Sequence, residues 1–533
     1  MNIDFSPQNI TIREIFNDLY IMTSDHKLVI KDAAWQLFGR IISALFGFVI
    51  TKIISSYLWP LRYGDYGTIF RYFAWWTALV DFGIYVIAVK RLGALKEEQG
   101  DDSPELKENY HKFLGTRVFM IIVIYTLAIV VAYLIPAYTS NEFIIRGLPL
   151  AMLYSASNMF VGIQQLPLQL FWKMNRLSWS LIVARLSQLV ILIPTVFFFF
   201  KDLNFEGTVT TKTMVLGFCL VVFSVVASAI GQNIDVHLRS KELLPFKIRI
   251  DKQFIKNIFT SNRKYGFAYF FSSFHTLIVL MFMGRFFPTS EGFKYSGFWA
   301  LSLSLIEILL IIPSSLGNSL LHKIPNYEEK EKKKSLGNLL NLVVRIGGII
   351  AINFWIFSKE IITIVSKEDY LGTWESRWSD QILPFLGIVL VLSFIKQIFN
   401  YLFVAVDKQN VLFKNNLIGV TIWVLVGIFV IPEWNLMGGV ITQILIESFF
   451  TWGAIWIAKR EKSLPILQKK NSLIIGGILG WMALLGRWIR FFFPEQFSLG
   501  MFFVVAGVLN LFILGISFPV IKKVAKGLTK EEK

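Results

Sequence analysis

Long apolar segments alternate with short polar or basic segments along most of the 533 residues of this chain. A helix needs about 20 apolar residues to cross the hydrocarbon layer of a membrane. By that measure the sequence predicts fourteen membrane-spanning helices and an all-α polytopic membrane protein. The predicted spans are 33–58, 68–90, 113–135, 148–171, 178–200, 211–236, 265–286, 296–321, 337–365, 383–405, 412–432, 436–458, 472–492 and 498–521.

The positions of the basic residues predict how these spans are oriented. If the N-terminus is inside, the cytoplasmic segments hold roughly 35 Lys and Arg and the outer loops hold roughly 9, as the positive-inside rule requires. We therefore predict a multi-pass protein of the cytoplasmic (inner) membrane with both termini in the cytoplasm. The N-terminal segment 1–32 mixes acidic and basic side chains and lacks an early apolar core, so it does not resemble a secretory signal.

A weak internal repeat indicates two parallel groups of six spans. Leu148-Pro149 opens span four and Leu383-Pro384 opens span ten, and Lys173-Met174-Asn175 and Lys408-Gln409-Asn410 occupy the turns that follow. The offset between the two copies crosses an even number of spans, so the two halves would have the same orientation and enclose a cavity. The predicted organisation is a cytoplasmic N-terminal segment (1–32), a first six-helix half (33–236), a basic cytoplasmic linker (237–264), a second six-helix half (265–458), and two C-terminal helices with a basic tail (459–533).

The composition agrees with a membrane protein and excludes two other classes. The chain is 55% hydrophobic and only 17% charged, whereas soluble proteins are about 25% charged. The net charge of +17 could suggest nucleic acid, but the basic residues lie in alternate loops, so no nucleic-acid partner is expected. The single cysteine, Cys219, allows neither an intrachain disulfide nor a cysteine-rich metal site.

Several short motifs resemble a known family. Tyr63-Gly64-Asp65-Tyr66-Gly67 lies in an aromatic turn that begins at Trp59, and Asp81-Phe82-Gly83 follows in the second span. Farther on, Tyr295-Ser296-Gly297-Phe298-Trp299 opens span eight, and Ile431-Pro432 precedes a glycine pair at Gly438-Gly439. This pattern resembles the polysaccharide flippases, the O-antigen-type exporters of lipid-linked oligosaccharides in the multidrug/oligosaccharidyl-lipid/polysaccharide (MOP) superfamily.

The resemblance implies a transporter that alternates between inward-open and outward-open states around one central cavity. Its cargo would be a polyprenyl-pyrophosphate that carries an oligosaccharide, for cell-surface polysaccharide assembly. Such a protein is not an enzyme and has no catalytic residue and no cofactor, although coupling to a proton or sodium gradient stays open. Its partners would be this substrate and membrane lipids, with polysaccharide polymerases and glycosyltransferases as further candidates. The last two spans would form a groove for the lipid tail.

Cationic side chains inside the predicted spans are candidates for substrate binding. Arg40, Arg185 and Arg345 lie about 11 Å from the cytoplasmic starts of spans one, five and nine. Arginine offers paired donors to phosphate oxygens, so a cationic entrance would suit a pyrophosphate. The other candidates are Lys52 near the outer end of span one, Lys396 near the middle of span ten, and His275 in span seven. The alternative is that the long cations extend to nearby lipid headgroups, or that His275 is a packed core residue.

Three carboxylates near mid-membrane are candidates for coupling or gating. Asp81, Glu307 and Glu447 lie in spans two, eight and twelve. An ionisable side chain at this depth is costly and points to function. These acids could pair with the cations to hold one conformation, or bind a proton or a sodium ion. The alternative is a neutral carboxyl that joins two helices by hydrogen bonds. No metal site is predicted.

Other functions remain open from the sequence. Within the same superfamily these are a lipid II flippase and a multidrug antiporter, although a drug antiporter usually has twelve spans. A membrane-bound glycan polymerase or ligase would need a large outer loop with arginines and histidines. The predicted outer loops are short, and four of the five histidines lie on or near the cytoplasmic side.

Overall fold

The computed structural model describes residues 24–205, 211–261, 263, 266–267, 270, 279, 290–314, 316, 329–372, 378–405, 409–460, 506–507 and 510. About 89% of these residues are helical and none of them forms a strand. Nine of the described helices are long and apolar enough to cross a membrane, and two of these nine each contain two predicted spans. The all-α membrane class is therefore confirmed. The count of fourteen stays a prediction, because spans thirteen and fourteen and most of span seven lie outside the described residues.

The helices follow one another without intervening sheet. In chain order they are α1 (Ser24–Asp81), α2 (Ile84–Gln99), α3 (Pro104–Tyr133), α4 (Pro136–Thr139), α5 (Glu142–Gln164), α6 (Leu166–Leu170), α7 (Met174–Pro194), α8 (Lys212–Ser240), α9 (252–261), α10 (Ser290–Leu309), α11 (Glu329–Ile356), α12 (Ser358–Val365), α13 (Ser379–Ala405) and α14 (Gln409–Arg460). A π-helical turn, Thr195–Phe199, extends α7, and a 3₁₀ turn, Glu368–Tyr370, follows α12.

Side-chain caps set the starts of three long helices. Ser103 Oγ accepts a hydrogen bond from the amide of Leu106 at 3.3 Å, and Pro104 occupies the first helical position of α3. Asn141 Oδ1 accepts from the amide of Phe143 at 3.0 Å at the start of α5. Thr211 Oγ1 accepts from the amide of Met214 at 3.2 Å at the start of α8. Each cap satisfies a backbone donor that the first turn of a helix leaves free.

The first two spans are joined by one residue instead of a loop. Trp59 has φ 58° and ψ 165°, and it separates a first arm of α1 (24–58) from a second arm (60–81). Pro60 begins the second arm, where its missing N–H removes no helical hydrogen bond. The prediction of an aromatic turn over 59–67 was therefore wrong, since residues 60–67 are helical. As a consequence, the second span begins at residue 60, ahead of the predicted start at 68.

Two predicted spans are interrupted by short breaks. Span two, predicted as continuous over 68–90, breaks at Phe82 and Gly83, which have φ values of 41° and 75°. Gly83 adopts this left-handed conformation without the steric penalty of a Cβ atom. Span nine breaks at Phe357, between α11 and α12. The helix α14 changes direction at Asn435, which has φ 49°. This residue lies between the predicted end of span eleven and the predicted start of span twelve.

The second arm of α1 packs closely against α10. A Cβ atom on Gly297 would overlap the carbonyl oxygen of Pro60, and one on Gly67 would lie 2.7 Å from the Cβ of Ala300. The absence of side chains at these two glycines therefore allows the two helices to touch. The contact runs from Pro60 beside Gly297 to Arg71 beside Glu307, so spans two and eight meet although they belong to different halves of the predicted repeat.

Aromatic and polar contacts close the bundle at the end that carries Trp59, which we call the Trp59 side. Lys367 Nζ lies 4.7 Å from the centre of the Trp59 ring. The hydroxyl of Tyr370 donates a hydrogen bond to the carbonyl of Ser55 at 3.2 Å. The rings of Phe298 and Trp378 stack at 4.8 Å. These contacts join α1 and α10 to the segment between α12 and α13.

At the opposite end, which we call the linker side, the basic segment between α8 and α9 binds to α3. The amide of Arg249 donates to the carbonyl of His111 at 3.2 Å, and the His111 ring contacts the carbonyl of Pro245 at 2.9 Å. Two ion pairs strengthen this attachment: Arg249 lies 3.0 Å from Glu108, and Lys112 lies 3.3 Å from Asp251. The predicted linker is therefore attached to the first group of spans along its described length.

Asp251 is expected to hold the linker side together in a pH-dependent way. Its carboxylate accepts from the amide of Phe254, caps α9 and pairs with Lys112, and these contacts lower the pKa of Asp251. Because the pKa of Asp251 is lower in the folded protein, its carboxylate stabilises the folded linker side fully above the unfolded pKa of about 3.9. This stabilisation is lost as the pH falls through the folded pKa. We expect Asp251→Ala to remove the cap at the start of α9. Tryptic cleavage at Arg249 and Lys252 should then be about fivefold faster at neutral pH.

The matched control is Asp102→Ala, which removes the 3.1 Å pair of a fully solvated carboxylate with Lys107. Cleavage in the 245–261 segment should be unchanged in this variant. Equal cleavage rates in Asp251→Ala and the parent would show that Asp251 does not hold the linker against α3.

Candidate functional site

Each of the three predicted mid-membrane carboxylates contacts a cation. Asp81 Oδ1 lies 2.5 Å from Arg117 Nη2, Glu307 Oε1 lies 2.6 Å from Arg71 Nη1, and Glu447 Oε1 lies 2.6 Å from Lys396 Nζ. Pairing with cations was one of the predicted roles of these acids. Only Lys396 was among the predicted cations, and Arg71 and Arg117 were missed.

The Arg71–Glu307 pair joins α1 to α10. The guanidinium donates two hydrogen bonds, from Nη1 to Oε1 at 2.6 Å and from Nη2 to Oε2 at 3.2 Å. Arg71 is the twelfth residue of its arm, about 17 Å along the helix from Pro60. The Glu307 side chain is 47% exposed, whereas that of Arg71 is 12% exposed. This pair therefore lies at mid-depth with its carboxylate facing open space.

Aromatic side chains line the α1 surface next to this ion pair. The Tyr63 hydroxyl lies beside Ser304 of α10 and near both charges of the Arg71–Glu307 pair. Tyr63 and Tyr66 stack at 5.6 Å, and Tyr66 contacts Phe70 at 4.7 Å. Phe70 in turn contacts the ring of Tyr154, on α5, at 5.4 Å. Phenol rings offer flat apolar faces together with hydroxyls, a combination that suits sugars.

Arg185 brings a second guanidinium to the same region. It lies on α7, about 17 Å along the helix from Met174, and its Nε donates to Ser43 Oγ of α1 at 3.2 Å. A Cβ atom on Gly47 would lie 3.8 Å from Arg185 Nη2 and 3.9 Å from Ile308 Cδ1. Arg185 also lies near the phenols of Tyr66 and Tyr154. We call Arg71, Arg185, Glu307, Tyr63, Tyr66 and Tyr154 the central site.

The Asp81–Arg117 pair is enclosed at the helix break. The Arg117 side chain is 1% exposed, and its Nη1 also donates to the carbonyl of Val80 at 3.0 Å. The guanidinium thus satisfies both the carboxylate and a backbone acceptor where α1 ends. Little of either group can meet a ligand. We therefore assign this pair a structural role, which is to hold the helix break at Phe82 and Gly83.

The Lys396–Glu447 pair is enclosed in the same way, between α13 and α14. The side chains of Lys396 and Glu447 are 15% and 2% exposed. The ammonium also lies 5.4 Å from the centre of the Phe450 ring. This geometry suits a brace between two helices better than a site that exchanges ligands.

The remaining predicted site residues lie apart from the central site. Lys52 Nζ donates to the carbonyl of Thr363 at 2.6 Å and to that of Ser366, and so binds the C-terminal end of α12. A cation at a helix C-terminus also interacts favourably with the helix dipole. Arg40 is partly buried, with the phenols of Tyr85 and Tyr401 nearby. Arg345 Nε is buried without a hydrogen-bond partner among the described residues. His275 lies outside the described residues.

Sequence comparison decides the family. Residues 29–316 match the model of the polysaccharide biosynthesis protein family, which is more than half of the chain. The chain belongs to this family. No curated protein sequence matches it significantly. The predicted membership of a polysaccharide family is thereby confirmed.

Solved structures of MOP transporters share the fold of this polysaccharide biosynthesis family member. The lipid II flippase MurJ in an inward closed conformation gives a TM-score of 0.60 at 12% identity, with 92% of this chain and 98% of that chain covered. An inward-facing multidrug resistance MATE family transporter gives 0.58 at 11% identity, with 81% and 98% covered. A MOP superfamily transporter from Pyrococcus furiosus gives 0.55 at 12% identity, with 82% and 96% covered. At these identities the likeness establishes the fold.

Two cavities in the described part of this family member lie away from the central site. One, of about 480 Å³, lies between α3, α5 and α8 and is lined mainly by apolar residues such as Ile121, Phe160 and Ile234. The other, of about 400 Å³, lies beside Phe82 and Phe259. Neither contains a carboxylate or a cluster of cations that resembles the central site. In the described residues, no group of three or more His, Cys, Asp or Glu side chains is placed to hold a metal ion.

Arg71 was missed because of the position of one helix start. With span two predicted to begin at residue 68, Arg71 would lie at the membrane surface, where arginine is ordinary. The actual start at Pro60 moves it about 12 Å deeper along the helix. The proline itself was the available signal, because proline is favoured at the first position of a helix. Arg117 was missed in the same way, as a residue near the predicted start of span three.

Proposed function

We propose that this protein is a flippase that moves a polyprenyl-pyrophosphate-linked oligosaccharide across the cytoplasmic membrane by alternating access. The observation that carries the proposal is the central site, where Arg71 presents two donors to an exposed carboxylate at the contact of α1 and α10. A guanidinium binds phosphate with the same bidentate geometry. Arg185 supplies a second cation, and the partly exposed Tyr66 and Tyr154 supply surfaces for sugars.

The loop charges assign the two ends of the bundle to the two sides of the membrane. The linker side, with its basic segment, would face the cytoplasm, and the Trp59 side would face outwards. The contacts of Trp59 with Lys367 and of Tyr370 with Ser55 then close the outer end. This arrangement corresponds to the inward-facing or closed state of the cycle. Lys52, bound to the carbonyls of Thr363 and Ser366, acts as a latch that must open before release.

The other cations would act before and after the central site. Arg40, near the linker side of α1, would receive the pyrophosphate from the cytoplasm, and Arg345 would offer its guanidinium from α11. Lys396 is assigned to the brace with Glu447. His275 keeps its predicted role in contact with sugar or phosphate.

Coupling to an ion gradient would involve Glu307. Of the three paired carboxylates, Asp81 is 15% exposed, Glu447 is 2% exposed and Glu307 is 47% exposed. A proton or a sodium ion can therefore reach Glu307 more readily than either of the others. No covalent bond of the cargo changes in this cycle. Glycosyltransferases must supply the oligosaccharide on the inner face, and polymerases would use it on the outer face.

A transport measurement with three substrates tests this function. The purified protein in liposomes would receive an oligosaccharide diphosphate lipid with a fluorescent sugar, and a membrane-impermeant reagent would report its outer-leaflet fraction. We expect protein-dependent transfer of this lipid, slower transfer of lipid II and no efflux of ethidium. Transfer of lipid II alone would instead identify a lipid II flippase, and ethidium efflux without lipid transfer would identify a multidrug transporter.

A further inference from the structure

The Arg71–Glu307 pair differs from the other two mid-membrane ion pairs in its exposure. Glu447 is almost fully enclosed at 2%, and Arg117 is 1% exposed. Glu307 is 47% exposed, although it makes two hydrogen bonds to Arg71. Enclosure strengthens the attraction of a carboxylate to its cation and keeps competing ions away, and Glu307 lacks this enclosure. The accessible Glu307 is therefore suited to exchange.

The geometry of the pair resembles that of a bound phosphate. A carboxylate presents two oxygens to the two Nη donors of an arginine, and a phosphate presents two oxygens to the same donors. Arg185 lies near Tyr66, and Tyr66 stacks on Tyr63 beside the Arg71–Glu307 pair, so a second guanidinium lies in the region that an extended anion on Arg71 would occupy. A diphosphate has oxygens on two phosphorus atoms and can bridge two such cations. Glu307 has only two oxygens, on one carbon, and both already accept from Arg71, so it has less reach towards a second cation.

We propose that Glu307 is an internal substitute for the substrate, which occupies Arg71 when the site is empty and is displaced by the diphosphate group. This inference rests on the proposed function, because it names the competitor of the substrate at the central site. Displacement breaks two hydrogen bonds between α1 and α10 and forms new ones between the anion and Arg71 and Arg185. The anion thereby loosens the contact between the two helices as it binds. The freed carboxylate becomes available to a proton or a sodium ion at the same moment.

The fraction of time that Glu307 occupies Arg71 sets the apparent affinity of the central site for an anion. The apparent dissociation constant of a ligand equals the intrinsic constant divided by the fraction of protein that is competent to bind. If Glu307 occupies Arg71 about nine-tenths of the time, removing its charge should tighten anion binding about tenfold. The loss of Arg71 should weaken binding in either case.

The test measures binding of inorganic pyrophosphate to the full-length protein in nanodiscs by titration calorimetry. We expect Glu307→Gln to bind about tenfold more tightly than the parent and Arg71→Ala to bind at least tenfold more weakly. The matched control is Glu142→Gln, which alters a 50% exposed glutamate that pairs with Arg146 at the start of α5. It should leave the affinity unchanged. Glu307→Asp, too short to keep both hydrogen bonds, should tighten binding about threefold and provides a second variant if Glu307→Gln is unstable.

The outcomes separate this inference from the proposed function. Equal affinities of Glu307→Gln and the parent, with weak binding by Arg71→Ala, would overturn the substitute role while the anion site stands. Weaker binding by Glu307→Gln would also overturn it. Equal affinities in all variants, including Arg71→Ala, would overturn both proposals.

Discussion

Transport of the lipid-linked oligosaccharide should fall about 100-fold when Arg71 or Arg185 is replaced by alanine. Each arginine is expected to form charge-assisted hydrogen bonds with the diphosphate, and each such bond contributes about 1.5–3 kcal/mol. Two such bonds from Arg71 amount to about 3–6 kcal/mol, so their loss removes about two orders of magnitude in binding at the lower end of this range. Arg71→Lys keeps the charge but loses the bidentate geometry, so it should retain an intermediate rate. The measurement is the initial rate of transfer in liposomes at a substrate concentration below saturation.

The control for both arginines is Arg146→Ala. Arg146 is 67% exposed and lies 3.9 Å from Glu142 on the surface of α5. Its replacement changes the charge of the protein equally but leaves the central site intact, so the rate should remain within twofold of the parent. Full transport by Arg71→Ala and Arg185→Ala would contradict the assignment of the site.

Replacement of Arg117 by alanine should strongly destabilise the protein. Asp81 would lose its partner at 2.5 Å and would remain in a site where its side chain is 15% exposed. Removal of one member of a buried ion pair costs about 3–5 kcal/mol. For a chain of 533 residues, this corresponds to a decrease of about 3–5 °C in the apparent melting temperature. Thermal unfolding of the purified protein in detergent would measure it.

Two further variants isolate the cause of this effect. Arg239→Ala removes a partner at 2.7 Å from Asp235, but Arg239 is 35% exposed, against 1% for Arg117, and both members of its pair lie on one helix. Such a pair within one helix contributes about 0.3–0.5 kcal/mol, so the melting temperature should barely change. The double variant Arg117→Met with Asp81→Asn removes both charges and should recover much of the loss. A single Arg117→Ala variant as stable as the parent would show that the pair does not hold the helix break.

Much of the fold could be predicted because apolar length is a direct physical requirement of a membrane helix. The predicted spans three and six correspond to α3 and α8, and span ten corresponds to α13. Helix breaks were harder to predict. Trp59, Phe82 and Asn435 adopt positive φ values that non-glycine residues rarely occupy. These conformations are imposed by the packing of the bundle and leave little trace in the local sequence.

The candidate site was predicted in part for the same reason. Asp81, Glu307 and Glu447 stand out because a carboxylate inside an apolar run is conspicuous, and their pairing with cations followed from charge. Which cation meets which acid depends on contacts between helices that are distant in sequence, as Arg71 of α1 and Glu307 of α10 show. The depth of Arg71 depended on the helix start at Pro60. Periodicity and hydropathy reveal neither the partner of each acid nor the depth of Arg71.

The central claim is that Arg71 and Arg185 recognise a diphosphate inside the membrane. The most direct test compares two lipids that differ by one phosphate, with the same sugar and the same prenyl chain, in one liposome assay. We predict that the parent protein transfers the diphosphate lipid at least tenfold faster than the monophosphate lipid, and that Arg71→Ala removes this preference. Equal transfer of the two lipids by the parent, or an unchanged preference in Arg71→Ala, would contradict the claim.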